Sequence, residues 1–179
     1  MPTLDRGRSV LCLIDLQERL VPALAGNDEL VANAGRLLAA AEALGVPVVT
    51  TEQNPKGLGP TVPELARPDG DHPVVAKMSF DACRAGGVMD ALPAGHHIVL
   101  AGCEAHVCVL QTALGLLDRS RKVYVVADAI GSRRAENKEA ALSRLERAGA
   151  EVVTTEMVVF EWLGSADDPN FKSVIALVK

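Results

Sequence analysis

The sequence predicts an α/β protein in which a six-stranded parallel sheet carries helices on both faces. Six short apolar runs have the length of strands, and most of them alternate with segments of helical pattern. The first run, Val10–Ile14, is apolar throughout. Unbroken apolar strands are typical of parallel sheets that are covered on both faces, and alternation of strands with helices favours parallel connections.

The predicted elements account for most of the chain. The predicted strands cover residues 10–14, 46–50, 74–76, 98–101, 123–127 and 151–154. The predicted helices cover residues 27–44, 88–92, 106–118, 135–148, 156–163 and 169–178. The stretch from 51 to 73 is rich in proline and glycine and has little periodicity, so we predict a long loop there. Such loops inside compact domains are often functional.

The first helix is the most clearly marked element. Leu30 and Leu44 belong to an apolar stripe with helical spacing, Asn27 is a suitable N-cap, and Gly45 ends the pattern. The helix over 106–118 differs, because apolar residues occupy more than one of its faces. We expect part of this surface to be covered by another copy of the chain.

Composition and charge restrict the function. The chain has 179 residues, 49% of them hydrophobic, which suits one domain over residues 1–179 with a real core. A net charge of −5 and an aromatic content of 3% argue against nucleic acid as a partner. No apolar run approaches the roughly 20 residues of a membrane-spanning helix, and the N-terminus lacks the pattern of a signal peptide. We expect a cytoplasmic protein with neither a membrane nor a nucleic-acid partner.

The four cysteines are Cys12, Cys83, Cys103 and Cys108. They do not indicate a disulfide framework, because Cys12 lies in an apolar strand and Cys108 on an apolar helix. A metal site formed by Cys103, His106 and Cys108 is not favoured either, since their spacing differs from that of known zinc motifs. We therefore expect no metal and no cofactor.

Three chemically capable side chains lie at the ends of predicted strands. Asp15 follows the first strand, Lys77 follows the third, and Cys108 lies in the first turn of the helix after the fourth. Ligands bind beyond the carboxyl ends of the strands in open parallel sheets. The first turn of a helix stabilises an anion, so we expect the pKa of the Cys108 thiol to be lowered. A carboxylate, an amine and a thiol at one edge predict an enzyme site.

The chemistry that this trio predicts is nucleophilic attack by Cys108 and acyl transfer to water. Asp15 would accept the thiol proton, and Lys77 would keep the carboxylate ionised and stabilise the thiolate. The backbone N–H groups of Val107 and Cys108 would face a developing oxyanion. Taken singly, a cysteine on an apolar helix is usually a core residue and an isolated lysine is usually solvated. The prediction depends on the three occurring together.

Several sequence patches also carry a family resemblance. They are Leu13-Ile-Asp-Leu-Gln17, Lys77-Met-Ser-Phe80, Ala101-Gly-Cys-Glu-Ala-His-Val-Cys-Val-Leu-Gln-Thr-Ala113 and Val125-Val-Ala-Asp-Ala129. With these patches the chain resembles the isochorismatase-like cysteine hydrolases, which include nicotinamidases and N-carbamoylsarcosine amidases, over nearly its whole length. The resemblance implies a Rossmann-like, three-layer α/β/α sandwich that assembles into dimers or larger oligomers.

The resemblance also implies site residues. Its Asp-Lys-Cys triad falls on Asp15, Lys77 and Cys108, the residues already selected by their positions at strand ends. It implies a non-proline cis peptide bond between Cys103 and Glu104. By family position, the substrate pocket is lined by Gln53, Phe80, Glu104 and Ala105.

Departures from the family pattern narrow the activity. Nicotinamidases carry an Asp-x-His metal motif where this chain has Thr51-Glu-Gln53, so that metal site and nicotinamide are disfavoured. Isochorismatases that cleave an enol ether often lack the cysteine, so Cys108 favours hydrolysis of an amide or a related acyl compound. The patches 51–59, 61–65 and 116–119 look closest to the isochorismatase domain-containing proteins, a subgroup from which no substrate carries over.

The expected substrate is a small, neutral or weakly charged amide-like molecule. Glu104 beside the nucleophile would disfavour an anion unless Lys77 or an arginine such as Arg133 compensates. Two alternatives stay open. One is hydrolysis of a vinyl ether with Asp15 as general acid and Cys108 only packing; the other is a non-catalytic scaffold or binding protein. The expected partners are a small-molecule substrate and further copies of the chain.

Overall fold

The computed structural model describes residues 3–67, 70 and 72–179 and contains a six-stranded sheet. The strands are β1 (Ser9–Ile14), β2 (Val48–Gln53), β3 (Val74–Lys77), β4 (His97–Cys103), β5 (Val123–Gly131) and β6 (Glu151–Val153). Their order is β3-β2-β1-β4-β5-β6, and every neighbouring pair is parallel. The predicted α/β fold with a six-stranded parallel sheet is confirmed.

Helices cover both faces of this sheet. They are α1 (Asn27–Leu44), α2 (Pro55–Leu58), α3 (Val88–Ala91), α4 (Leu110–Asp118), α5 (Ala135–Arg147), α6 (Thr155–Leu163) and α7 (Phe171–Ile175). Short 3₁₀ turns occupy Arg6–Arg8, Val21–Ala23 and Ala82–Arg84, and a π-helical turn, Ala105–Val109, precedes α4. Helices α1, α6 and α7 pack on one face, and α3, α4 and α5 pack on the other. Among the described helices, none has the length and apolar character needed to cross a bilayer.

The central strands β1 and β4 are buried along their whole length. Leu11 and Leu13 of β1 pack in the layer with α1, whereas Cys12 and Ile14 pack in the layer with α4. Full burial of an aliphatic side chain of this size is worth about 1.5–3 kcal/mol. Burial on both faces is the reason why the strand reads as an unbroken apolar run.

The carboxyl ends of β1 and β4 approach each other closely. Gly102 has a φ of +129°, and a Cβ atom there would overlap the main chain of Ile14. Only glycine fits this position without strain. The close approach brings Cys103 beside Asp15, and the Cys103 thiol donates a hydrogen bond to the Asp15 carbonyl oxygen at 3.0 Å.

The predicted bounds of the second strand are wrong, and the error matters for the site. Strand β2 begins at Val48 and continues to Gln53, so the end of β2 lies inside the predicted loop over 51–73. That loop also contains the short helix α2. The error arises because the sequence Thr51-Glu-Gln53 is polar and does not resemble a strand. In the structure these residues end β2, where Thr51 and Gln53 are buried among polar partners.

The predicted N-cap of α1 is also wrong. Gly26, with a φ of +66°, takes the capping position, and Asn27 is the first helical residue. The Asn27 side chain donates instead to the carbonyl oxygen of Val21 at 3.4 Å. Strand β5 extends to Gly131, beyond the predicted end at 127, because it resumes pairing with β4 after a shift in register.

Candidate active site

The order of the strands brings Lys77, Asp15 and Cys108 together at the carboxyl edge of the sheet. Lys77 ends β3, Asp15 follows β1, and Cys108 lies in the π-helical turn after β4. Strand β2 separates β3 from β1, so its last residues lie between the lysine and the aspartate. Both charged groups are close enough to shift the pKa of the Cys108 thiol.

Asp15 is held in an uncommon backbone conformation. Its φ is +52°, in a region that only glycine, asparagine and aspartate visit readily. The Asp15 N–H donates to the Thr51 carbonyl oxygen at 3.1 Å, and the Thr51 hydroxyl donates to Asp15 Oδ1 at 2.7 Å. These contacts, with the Cys103 thiol on the other side, maintain a conformation that is strained for most residues.

Lys77 and Asp15 form an ion pair without access to water. Lys77 Nζ donates to Asp15 Oδ2 at 2.7 Å, and the exposed fraction of each side chain is 0%. The same ammonium donates to Gln53 Oε1 at 2.8 Å and to the Ser79 carbonyl oxygen at 3.3 Å. A buried charge is tolerated when it is paired and hydrogen-bonded, and this lysine meets both conditions.

Cys108 is buried, with 6% of the residue exposed. Burial, followed by the charge of Asp15 and a hydrogen bond with Asp15, raises the pKa of the Cys108 thiol from 9.0 to about 12, against the lowering effect of Lys77. The expected lowering by the helix terminus is therefore wrong for the resting site, because loss of hydration and a nearby anion outweigh it. At neutral pH the thiol keeps its proton beside a carboxylate that can accept it.

The π-helical turn Ala105–Val109 contains Cys108 and both predicted oxyanion donors. The peptide bond between Cys103 and Glu104 is cis. The Val107 N–H donates to the Glu104 carbonyl oxygen at 3.0 Å, so this predicted oxyanion donor is already engaged. The Cys108 N–H is the other predicted donor. Single π-helical turns occur often at functional sites.

The four predicted pocket residues differ in their surroundings. The Gln53 amide has both ends engaged, because it accepts from Lys77 and its Nε2 donates to the Met78 carbonyl oxygen at 2.8 Å. Ala105 is fully buried, whereas 51% of Phe80 is exposed. Gln53 thus contacts the lysine, and Phe80 is available to a ligand or a neighbouring chain.

Glu104, the fourth of these residues, is paired with an arginine. Arg133 Nε donates to Glu104 Oε1 at 2.6 Å, and Arg133 Nη2 lies 3.3 Å from Glu104 Oε2. The carboxylate raises the pKa of the Arg133 guanidinium through hydrogen bonding and charge. The arginine side chain is 62% exposed, so the pair lies at the surface end of the site.

Two residues near the triad were not identified from the sequence as parts of the site. Thr51 holds Asp15, and Gln17 holds the main chain of Gln53: Gln17 Oε1 accepts from the Gln53 N–H at 2.8 Å, and Gln17 Nε2 donates to its carbonyl oxygen at 3.0 Å. Gln17 could have been suspected from the sequence, because it lies two residues after Asp15 within the Leu13–Gln17 patch. In the part of the chain that the structure describes, no three His, Cys, Asp or Glu side chains converge as metal ligands do.

An apolar cavity of about 180 Å³ lies apart from the triad. Leu38 of α1, with Val48 and Thr50 of β2, forms part of its wall, and none of its lining residues is a predicted site residue. Val48 packs in the layer with α1, whereas the triad lies toward α4. This cavity is therefore distinct from the candidate active site.

Sequence comparison identifies close relatives. The sequence model of the isochorismatase domain matches residues 9–157. Isochorismatase domain-containing protein 2 of Xenopus laevis is 41% identical over 170 residues, which cover 95% of this chain and 83% of that protein. The human protein of the same name is also 41% identical, with 99% of this chain and 88% of that protein covered.

Solved structures agree with this match. The MAR1 ribonuclease of Caenorhabditis elegans has a TM-score of 0.92 and 37% identity, covering 98% of this chain and 92% of that one. The structure of YcaC from Pseudomonas aeruginosa with hexane-2,5-diol and covalent acrylamide has a TM-score of 0.91 and 26% identity. The match covers 98% of this chain and 91% of that one. YcaC of Escherichia coli, an octameric hydrolase of unknown specificity, has a TM-score of 0.88 and 27% identity, covering 98% and 87%.

Proposed function

Because the chain belongs to the isochorismatase family, we propose that it is a cysteine-dependent hydrolase that cleaves the C–N bond of a small amide-like substrate. The reaction passes through a covalent acyl-enzyme intermediate on Cys108. One observation carries this proposal: the buried Cys108 thiol adjoins the Asp15 carboxylate, which is paired with Lys77 at 2.7 Å. A thiol, a base and an orienting group within reach of one another are the requirements for an activated nucleophile.

The first half of the reaction forms the acyl-enzyme. Asp15 takes the proton of the Cys108 thiol while the sulfur forms a bond to the substrate carbonyl carbon. The carbonyl oxygen becomes an oxyanion that accepts a hydrogen bond from the Cys108 N–H. Asp15 then passes its proton to the amide nitrogen, the C–N bond breaks, and the amine leaves a thioester behind.

The second half returns the enzyme to its starting state. Asp15 removes a proton from a water molecule, whose oxygen attacks the thioester carbonyl carbon. The C–S bond breaks, the acid product leaves, and Asp15 returns the proton to the Cys108 sulfur. The pair of Lys77 with Asp15 supports this cycle, because moving a proton between thiol and carboxylate leaves the total charge of the three groups unchanged.

The charges around the nucleophile support a small substrate that is neutral or weakly charged. The Glu104 carboxylate is already matched by Arg133, and the Lys77 ammonium by Asp15. Both cationic groups, Arg133 and Lys77, are already paired with a carboxylate, so neither is free to bind an anionic substrate. The covalent acrylamide on the Pseudomonas relative supports a reactive nucleophile, since acrylamide is attacked by nucleophiles at its C=C bond.

RNA is a less favoured substrate, although the C. elegans relative is a ribonuclease. The present chain has 18 Lys and Arg against 23 Asp and Glu residues, a balance that gives little attraction to a phosphate backbone. RNA therefore belongs in the activity panel as a competing substrate.

We further propose that the chain forms a homo-oligomer in the cytoplasm. Met78 and Phe80, which follow Lys77 closely in sequence, are 72% and 51% exposed, and contiguous exposed apolar residues often mark interfaces. The E. coli relative is octameric. All four cysteines are free and buried, which suits a reducing compartment.

The experiment that tests the function is a hydrolysis panel on the wild type, Cys108→Ala and Asp15→Asn. The panel contains small primary and N-substituted amides, the ester 4-nitrophenyl acetate, isochorismate as the vinyl ether, and an RNA oligonucleotide. We expect hydrolysis of acyl compounds that is lost in both variants, with a Cys108 acyl adduct detectable by mass spectrometry. Turnover of the vinyl ether that survives Cys108→Ala would instead support the Asp15-only mechanism. Turnover of no compound would favour a non-catalytic protein.

A further inference from the structure

We infer that Gln53 is a positioning residue that, together with Asp15, fixes the orientation of the Lys77 ammonium, whose charge acts on Cys108. The inference rests on the proposed role of Cys108 as the nucleophile. It assigns to Gln53 a task different from that of lining the substrate pocket. The feature that supports it is the set of hydrogen-bond partners around the Lys77 Nζ atom.

An ammonium group has three hydrogens to donate. Lys77 Nζ has three oxygen acceptors, of which Asp15 Oδ2 at 2.7 Å and Gln53 Oε1 at 2.8 Å are short and the Ser79 carbonyl oxygen at 3.3 Å is long. The ammonium also lowers the pKa of the Cys108 thiol, so its position bears on the proposed nucleophile. The two short bonds, to Asp15 and Gln53, fix the position and rotation of the ammonium, and the third hydrogen is directed to the Ser79 carbonyl oxygen.

Gln53 is itself held rigidly enough to perform this task. Its Nε2 donates to the Met78 carbonyl oxygen, which fixes the amide so that the oxygen faces the lysine. The main chain of Gln53 is clamped at both its N–H and its carbonyl oxygen by Gln17, a residue with no exposed surface. The Gln17 Nε2 also donates to the Gly59 carbonyl oxygen at 2.6 Å. The position of the lysine is thus fixed through two successive glutamines.

The same arrangement explains why a neutral acceptor stands at position 53. The ionisable groups that face the Cys108 sulfur are Asp15 after β1, Lys77 in β3 and the Cys103 thiol in β4. A carboxylate in place of the Gln53 amide would add a second anion to Lys77 and weaken its effect on the sulfur. An amide oxygen accepts the hydrogen bond without adding charge.

Two substitutions test the inference in the full-length protein. Gln53→Glu keeps the shape and adds a negative charge, and Gln53→Met removes the acceptor with little change in volume. Gln111→Glu makes the same chemical change at an exposed position on α4 and serves as the matched control. The readouts are the pH dependence of Cys108 alkylation by iodoacetamide, mapped by mass spectrometry, and kcat and KM for 4-nitrophenyl acetate. Thermal unfolding of each variant reports whether it is folded.

We expect Gln53→Glu to move the alkylation curve of Cys108 upward by about one pH unit, because an added anion disfavours the thiolate. Gln111→Glu should leave the curve in place. Gln53→Met should lower kcat, by up to about 10²-fold if the lysine shifts by an ångström, with KM little changed. An unchanged alkylation curve in a folded Gln53→Glu protein would overturn the inference. A raised KM with unchanged kcat in Gln53→Met would do the same, because it would place Gln53 in contact with substrate.

Failure of the proposed function would look different. Turnover that survives Cys108→Ala would remove Cys108 from the reaction, while the alkylation curves of the Gln53 variants would still report whether Gln53 acts through Lys77. If Gln53→Met does not fold, Gln53→Glu and its control carry the test alone, since alkylation requires no substrate.

Discussion

Two ion pairs lie at the same edge of the sheet and have almost the same length, yet they have different consequences. Lys77 and Asp15 are 2.7 Å apart, and Arg133 and Glu104 are 2.6 Å apart. The first pair has no exposed surface, whereas 62% of the Arg133 side chain is exposed. The Glu104 side chain is only 9% exposed, so water and salt screen the second pair from the Arg133 side, whereas they screen the first pair very little.

Contact distance alone therefore does not identify a functional pair. Asp15 and Lys77 shift the pKa of the Cys108 thiol in opposite directions, so the buried pair sets the state of the proposed nucleophile. The outer pair neutralises Glu104 at the mouth of the site. Substitutions in the two pairs should therefore differ in the size of their effects.

The largest expected effect is on turnover. Asp15→Asn should lower kcat for acyl substrates by about 10²–10⁴-fold, because asparagine cannot accept the thiol proton. Asparagine tolerates the left-handed backbone at this position, so the fold should persist. Arg133→Gln should change kcat by only a few-fold, since the Arg133 guanidinium is largely solvated. Steady-state assays on the two variants make the comparison, and equal losses would contradict it.

The next effect is on stability. Lys77→Met should lower the free energy of unfolding by about 3–5 kcal/mol, because it leaves the Asp15 carboxylate buried and unpaired. The double variant Lys77→Met/Asp15→Asn should recover much of this loss, since no buried charge remains. Urea unfolding monitored by circular dichroism provides the measurement, with Arg133→Met as the exposed counterpart. A double variant that is less stable than Lys77→Met would refute the explanation.

The smallest effect on kcat should come from removing the hydrogen bond that the Cys103 thiol donates to the Asp15 main chain. Cys103→Ala removes the thiol that donates to the Asp15 carbonyl oxygen, and a neutral hydrogen bond of this kind is worth about 1 kcal/mol. Cys103→Ser keeps a donor and is the matched control. We expect the alanine variant to lose less than about tenfold in kcat, and the serine variant to lose less still. A loss as large as that of Asp15→Asn would show that Cys103 has a more direct role.

The sequence was most informative about the elements that have apolar periodicity and about the residues that lie at strand ends. The unbroken run Val10–Ile14 and the stripe in α1 predicted buried elements, and both were found. Parallel strands place their carboxyl ends at one edge, so Asp15, Lys77 and Cys108 could be selected as neighbours before their distances were known.

Other features could not be read from the sequence, because they depend on contacts between distant residues. The polar run Thr51-Glu-Gln53 reads as a loop, but it ends β2 because Gln17, Lys77 and Asp15 satisfy its side chains and main chain. The high pKa of Cys108 depends on how deeply α4 and its preceding turn are buried, which a helical pattern does not specify.

The coupling of Cys108 to Asp15 can be measured from the pH dependence of Cys108 alkylation by iodoacetamide in the wild type and in Asp15→Asn. Burial and Asp15 raise the thiol pKa, so labelling of the wild type should still be increasing above pH 9. Removing the carboxylate eliminates its raising effect and leaves the lowering effect of Lys77, so the Asp15→Asn curve should move to lower pH. Superimposable curves, or a shift of the variant to higher pH, would show that Asp15 does not raise the pKa of the Cys108 thiol.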